Sequence, residues 1–315
     1  MSAGLASLVA LTGGASTSLA EAIVLAPVAD TAIWAQKPDQ NYGRFAVVPI
    51  GPAYRTNFFG AVLDAPARGL LRFDVAGALP AGAKVTEVTL TVQVSDSSVD
   101  PALDSVVLHR TLLDWGEGAQ SAGETDVTAE VGEANWGWCK FGQATWSHPG
   151  AARGLDYIAV ESGWVNVKQP GSYTFGSLPA MVEDIQAWLD RPQFNHGWLL
   201  KSRNETVKQG DGPKRLVTRE GPADQRPRLV IGFTPPPVAA PRLTGRSLPD
   251  GTLELDCRLN PGSRCELRAL ADLTTTNFTV LTNYLAGPTG LEARFATAPS
   301  AAQRYYRLVE TGSGN

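Results

Sequence analysis

Between Arg68 and Val94 apolar and polar residues alternate in a way that a helix could not use. Leu70-Leu71-Arg72-Phe73 leads into a Pro80-Ala81-Gly82 turn, and beyond it Val85, Val88, Leu90, Val92 and Val94 are separated by Thr86, Glu87, Thr89, Thr91 and Gln93. A period of two with β-branched residues on both faces suits a strand with one face on a core and the other in water. Strand-like runs at residues 32–35, 45–50, 69–74, 105–111, 157–160, 171–175, 197–201 and 228–233 have turn residues between them. Together they predict an all-β fold, an antiparallel, jelly-roll-like β-sandwich. One segment departs from the pattern. Over residues 178–190, Leu178, Val182, Ile185 and Leu189 share a helical face, Pro179 suits a first turn and Pro192 stops the run. One short helix is expected there, over a sheet edge or a sandwich end.

Thr234-Pro235-Pro236-Pro237-Val238-Ala239-Ala240-Pro241 is the clearest internal boundary, because proline at this density favours an extended, stiff spacer. It divides a domain at 23–234 from a small β domain at 242–311, with 235–241 as the linker. The small domain is fibronectin-like in size, with strands expected at 252–259, 264–269, 279–282, 293–296 and 304–309. Residues 1–22 differ from the rest. Leu5, Leu8, Val9, Ala10 and Leu11 form a short apolar run that ends in small residues and Ala20-Glu21-Ala22, the pattern of a cleaved signal peptide. The run is too short to span a bilayer, so a secreted protein, extracellular or at the cell surface, is expected. Export permits disulfides. Cys257 and Cys265 flank Asn260-Pro261-Gly262-Ser263, a hairpin-closing sequence that would set them opposite each other. Two outcomes stay open: a short-loop disulfide of modest entropic gain, or two reduced core thiols.

A net charge of −4 gives no global attraction to nucleic acid or to an anionic membrane. No C-x-x-C occurs, and His109, His148 and His196 lack zinc-site spacing. Asp96, Asp100 and Asp104 recur every four residues without the glycine or terminal Glu of an EF-hand, which leaves a structural Ca2+ open as a cofactor. There is no G-x-S-x-G, H-E-x-x-H, Walker loop or dinucleotide fingerprint. Asp114, Glu117 and Glu124 flank Trp115, and paired carboxylates can hydrolyse glycosides, but loop acids are ordinarily solvated. No catalysis is expected.

Two groups of residues are candidates for binding. From Lys201 to Arg228 eight basic residues face four acids. Lys201 and Arg203 are expected on a strand, and Arg219 with the others on a Gly-rich loop. Guanidinium groups grip carboxylates in a two-pronged geometry, so these residues suit an acidic polysaccharide. The bland alternative is a solvated loop with weak charge pairs. Trp136, Trp138 and Trp146, with His148, crowd into NWGWCKFGQATWSHPG. Exposed indoles there would stack on sugar rings; otherwise they pin a long loop onto the sandwich. Trp34, Trp115 and Trp188 sit in strand or helix patterns and are expected in the core.

Five blocks follow in order: ADTAIWAQKPDQNYGR, RGLLRFDVAGALPAGAKVTEVTLTV, LHRTLLDWGEG, VEDIQAWLDRPQFNHGWLLKS and RPRLVIGF. Over residues 27–234 this set resembles the DNRLRE-type domain, a β-sandwich of exported bacterial and archaeal proteins related to carbohydrate-binding modules. The hexapeptide that names the family is absent, which leaves subfamily and ligand open. The resemblance implies a non-catalytic, monomeric binder of polysaccharide, with uronate chains such as alginate among the ligands of its relatives. The C-terminal RCELRALADLTTTNFTVLT and QRYYRLVE resemble β modules that end large exported bacterial proteins as spacers or sorting regions. A structural or adhesive surface protein that binds no glycan is the second reading.

Overall fold

The computed structural model describes residues 20–96, 105–119, 127–206, 212–236, 242–260, 263–270, 278–287, 291–297 and 305–313. Two compact units part between Pro236 and Pro237. The strands of the larger unit are β1 (Glu21–Leu25), β2 (Ala29–Trp34), β3 (Val47–Ile50), β4 (Tyr54–Thr56), β5 (Val62–Asp64), β6 (Ala67–Arg72), β7 (Lys84–Asp96) and β8 (Ser105–Arg110). They continue as β9 (Trp138–Lys140), β10 (Ala144–Thr145), β11 (Gly163–Asn166), β12 (Gly171–Phe175), β13 (Trp198–Ser202), β14 (Lys214–Val217) and β15 (Arg228–Thr234). Helix α1 (Pro179–Asp190) and a 3-10 turn, Pro192–Phe194, precede β13.

Two antiparallel sheets form the sandwich. One runs β1-β15-β7-β14-β3, with β12 also on β7, and the other runs β11-β8-β13-β6-β2. They share one core, to which Leu90, Val92 and Ile231 come from the first sheet and Leu71, Leu108 and Leu200 from the second. In β7 the five predicted apolar residues are all buried, although Val85 and Val88 are three apart and out of phase. A bulge resolves this. Glu87 pairs with Gly232 and Val85 with Phe233, so Thr86 has no opposite number, and the extra residue resets the alternation. The backbone N–H groups of Val85 and Val88 donate to Gln186 Oε1 and Ser177 Oγ instead, at 2.9 and 3.0 Å. Helix α1 thereby covers this stretch of β7.

The buried face of α1 is Met181, Asp184, Ile185, Trp188 and Leu189, rotated from the predicted stripe; Leu178 is the exposed N-cap. The rotation follows from Trp188, which meets Trp198 edge-on at 4.8 Å, and from Asp184, which accepts bonds from Ser162 Oγ and Trp198 Nε1. The run at 157–160 is not a strand. Tyr157 makes only isolated bridges, and the strand lies further on, at β11. Trp34, Trp115 and Trp188 are in the core as expected. The predicted cleavage site Ala20-Glu21-Ala22 overlaps β1, in which Glu21 and Ala22 pair with Phe233 and Gly232; residues 1–19 lie outside the described residues. Among the described residues no helix is long and apolar enough to cross a membrane.

The smaller unit holds β16 (Arg242–Ser247), β17 (Leu253–Leu259), β18 (Ser263–Leu270), β19 (Thr279–Leu285), β20 (Leu291–Thr297) and β21 (Tyr305–Ser313). They form two three-stranded sheets, β16-β17-β20 and β19-β18-β21. The expected hairpin carrying Cys257 and Cys265 is therefore corrected. β17 and β18 belong to different sheets, so the chain passes from one layer to the other instead of folding back along a ladder. Cys257 pairs with Leu243 and Ala293, and Cys265 with Tyr284 and Glu310. Neither is in a disulfide; both are buried thiols, and burial pushes Cys257 up to about 11.

Lys214 belongs to β14 and not to a Gly-rich loop. It is 1% exposed and lines a small apolar void with Ile50, Val94, Val106, Val167 and Phe175. Burial pushes its ammonium down to about 8.

Candidate functional site

The predicted basic contacts are already engaged by carboxylates of the protein. Lys201 Nζ lies 2.9 Å from Glu205 Oε2, and Glu205 also takes a two-pronged bond from Arg68, at 2.8 and 2.6 Å. Arg68 further donates to the carbonyls of Gly150 and Ala151 and lies over the Trp136 ring. Arg203 grips Glu161 with two bonds and covers Trp164. Arg219 grips Glu117 at 2.7 and 2.9 Å and lies 3.1 Å from Glu220. Lys201, Arg203 and Arg219, expected to meet a ligand, are thus each paired with an acid of the protein itself. Lys208 lies outside the described residues.

The tryptophan cluster divides by burial. Trp146 is buried, with its Nε1–H bonded to the Asn135 carbonyl at 2.9 Å. Trp136 packs on Gly150, where even a Cβ would lie 2.4 Å from the indole. Trp138 is half-buried, edge-on to Phe141. Only His148 of this group is exposed. These rings pin the loop to the sandwich. Asp114 is held by Arg72 and Lys140; burial alone would raise its pKa, but these cations draw it below the usual carboxylate range.

A cleft of about 210 Å³ lies elsewhere, between the end of β8 and the end of α1. Arg110 and Thr111 form one wall, Trp188 and Arg191 the other, and Phe194 and His196 the lip. Pro192 cannot continue the helix, and the chain turns back into β13 through Gly197 (φ +75), where a Cβ would meet the Leu71 carbonyl at 2.1 Å. Segment 191–196 is thereby folded over the cleft. Two of its lining residues each carry a buried polar atom, Thr111 Oγ1 and Trp188 Nε1, with no hydrogen-bond partner among the described residues. Leaving such a group unsatisfied costs about 1–3 kcal/mol. Arg110 reaches back to Asp184 at 3.3 Å, and Arg191 lies over the Phe194 ring. Phe194 is 56% exposed. Burial holds the His196 pKa below its ordinary value, partly offset by Asp114 at 3.9 Å. The sequence candidates include none of these residues. The available signal was a cation and an aromatic following the helix stop, Arg191-Pro192-Gln193-Phe194-Asn195-His196.

A second cluster joins Asp30 of β2, Glu117 and Glu220. Each offers one carboxylate oxygen, and the three lie within 4.8 Å of one another. Glu117 enters between two glycines that allow close backbone approach: a Cβ would fall 1.8 Å from the Gly132 carbonyl at Gly116, and 2.0 Å from Asn41 Oδ1 at Gly118. Burial, followed by the charges of Glu220 and Glu117, pushes Asp30 up to about 8 against the pull of the Arg219 N–H. Of the earlier acidic candidates, Asp96 ends β7, while Asp100, Asp104 and Glu124 lie outside the described residues.

No protein-family model matches this chain, and no curated protein matches it.

If Lys201 and Arg68 are structural, removing their shared carboxylate should cost stability. Glu205→Ala leaves a largely buried guanidinium unpaired and should lower the unfolding free energy by about 3 kcal/mol, measured by urea titration. A change below about 0.5 kcal/mol would mean that the network carries no load and its cations are available to a ligand.

Proposed function

We propose that the larger unit is a secreted, non-catalytic binding module for an acidic, uronate-type polysaccharide, and that the cleft between β8 and α1 seats one of its sugar residues. The carrying observation is that Thr111 and Trp188, which line the cleft beside Arg110 and Arg191, each keep a buried polar atom without a partner among the described residues, so a small shift of either side chain would offer it to a ligand. Donors dominate these walls, so they favour a ligand rich in acceptors. A carboxylate meets the guanidinium groups in charge-assisted bonds, and ring hydroxyls meet the indole N–H and the threonine. Phe194 offers a flat apolar face for the carbon side of a pyranose. At about 210 Å³ the cleft is smaller than the roughly 300–1,000 Å³ of drug-sized pockets, so it suits a single sugar with the chain running over the surface. The ordered blocks that resemble the DNRLRE-type domain support the same reading.

The structural or adhesive surface role is the second reading. The hairpin β4–β5 favours it, since Phe58 and Phe59 at its tip are 98% and 89% exposed and stand edge-on to each other, an apolar pair presented to solvent.

Calorimetric titration of the full chain with oligouronates and with neutral oligosaccharides separates the two. The binding reading expects saturable uronate binding, no binding of the neutral sugar, and at least about tenfold weaker binding in Arg191→Ala. No binding by the unaltered protein, or unchanged affinity in Arg191→Ala, would overturn it.

The pH dependence has a definite sign. Burial lowers the pKa of His196, whereas a uronate carboxyl stays ionised to about pH 4. Protonating His196 adds a positive charge at the lip, so affinity should rise as the pH falls below the ordinary histidine range while the uronate is still ionised. His196→Gln should flatten that rise, and a profile that is flat in the unaltered protein would contradict the placement of the anion.

A further inference from the structure

We propose that Asp30, Glu117 and Glu220 bind one divalent cation of the Ca2+ class, at a site separate from the cleft. The three carboxylates come from segments far apart in the chain, and the hydrogen bonds around them leave a specific deficit. Glu117 Oε1 accepts the Asp30 backbone N–H and Arg219 Nε, and Glu117 Oε2 accepts Arg219 Nη2. Asp30 Oδ2 accepts the Arg219 backbone N–H at 2.7 Å. After these bonds, Asp30 Oδ1 and Glu220 Oε2 remain buried with no donor. Asp30 as a whole is 4% exposed, and its carboxyl faces that of Glu220 within hydrogen-bonding range. Two acceptors turned towards each other away from water require something positive between or beside them.

Charge and geometry narrow the choice. Three carboxylates outnumber the two guanidinium groups beside them, Arg219 and, 3.8 Å from Glu220, the half-exposed Arg44, so the cluster favours a cation. The donor set is oxygen only, which suits a hard cation and not zinc or copper. The three ligand oxygens lie within 4.8 Å of one another, close enough to share one ion, and an irregular oxygen set suits Ca2+ better than Mg2+, which demands near-ideal octahedral geometry. Arg219 is the internal counter-charge and positions Glu117; it donates to none of the orphaned oxygens. A bound ion would tie β2, the loop around Glu117 and the segment after β14 together without any role in saccharide chemistry.

The test uses the chelator-treated full chain, titrated calorimetrically with Ca2+ alone and with Mg2+ alone. One Ca2+ per chain is expected, with Mg2+ at least about tenfold weaker and a Tm that rises with Ca2+ concentration. Asp30→Asn should weaken Ca2+ binding by at least about 100-fold. Its Tm in chelator should not fall below that of the unaltered protein, because the amide donates where a carboxylate could not. Arg191→Ala, in the cleft, should bind Ca2+ as the unaltered protein does. Absence of saturable binding up to about 10 mM Ca2+ would overturn the proposal and leave a shared proton as the occupant. Binding that persists in both Asp30→Asn and Glu220→Gln would place the ion elsewhere and overturn it equally. Neither failure touches the uronate titration.

Discussion

A polar group taken out of water has to find a partner inside the protein, and that demand separates the structural side chains of the larger unit from those with something left to bind. Arg68, Lys201, Arg203 and Arg219 meet it completely: each is paired with a carboxylate, three of them through two-pronged bonds. These pairs hold the Trp136–Trp146 loop, β11 and the Glu117 loop against the sandwich. Exposed pairs of this kind contribute little, but Arg68 and Glu205 are largely buried, where breaking the pair is costly. Among the described residues, unmet demand falls in a few places. Thr111 and Trp188, with Asn195, leave it beside the cleft, and Asp30 and Glu220 leave it in the carboxylate cluster.

The two-layer architecture was legible because it rests on local periodicity. β7 shows its buried face in its alternation, and β12 coincides with the predicted run at 171–175. The three core tryptophans sit in strand or helix patterns. Local periodicity also explains the failures. The stripe of α1 was misplaced because Asp184, polar by composition, is buried by bonds from Ser162 and Trp198. The bulge at Thr86 depends on its partner strand, β15, more than a hundred residues away.

The basic segment misled for a related reason. Its charges look surplus when counted along the chain, yet their partners are distant: Arg203 pairs with Glu161, Glu205 with Arg68 and Arg219 with Glu117. Only the fold brings those acids close, and it places Lys214 in an apolar interior that no count of charges suggests. The cysteines of the smaller unit show the same limit, since the turn between them changes sheets. In the cleft the chemistry comes from the end of β8 and the end of α1, so neither segment signals a site alone.

Trp188 joins the two halves of this account, because its ring fills the core against Trp198 and lines the cleft, while its buried N–H has no partner among the described residues. The most direct measurement is therefore a two-dimensional 1H–15N spectrum following the assigned Trp188 indole N–H as an oligouronate is added. A saturable downfield shift of that resonance, with the buried Trp34 and Trp146 indoles unmoved, is the predicted result. An unmoved Trp188 signal while the saccharide binds would contradict the assignment of the site.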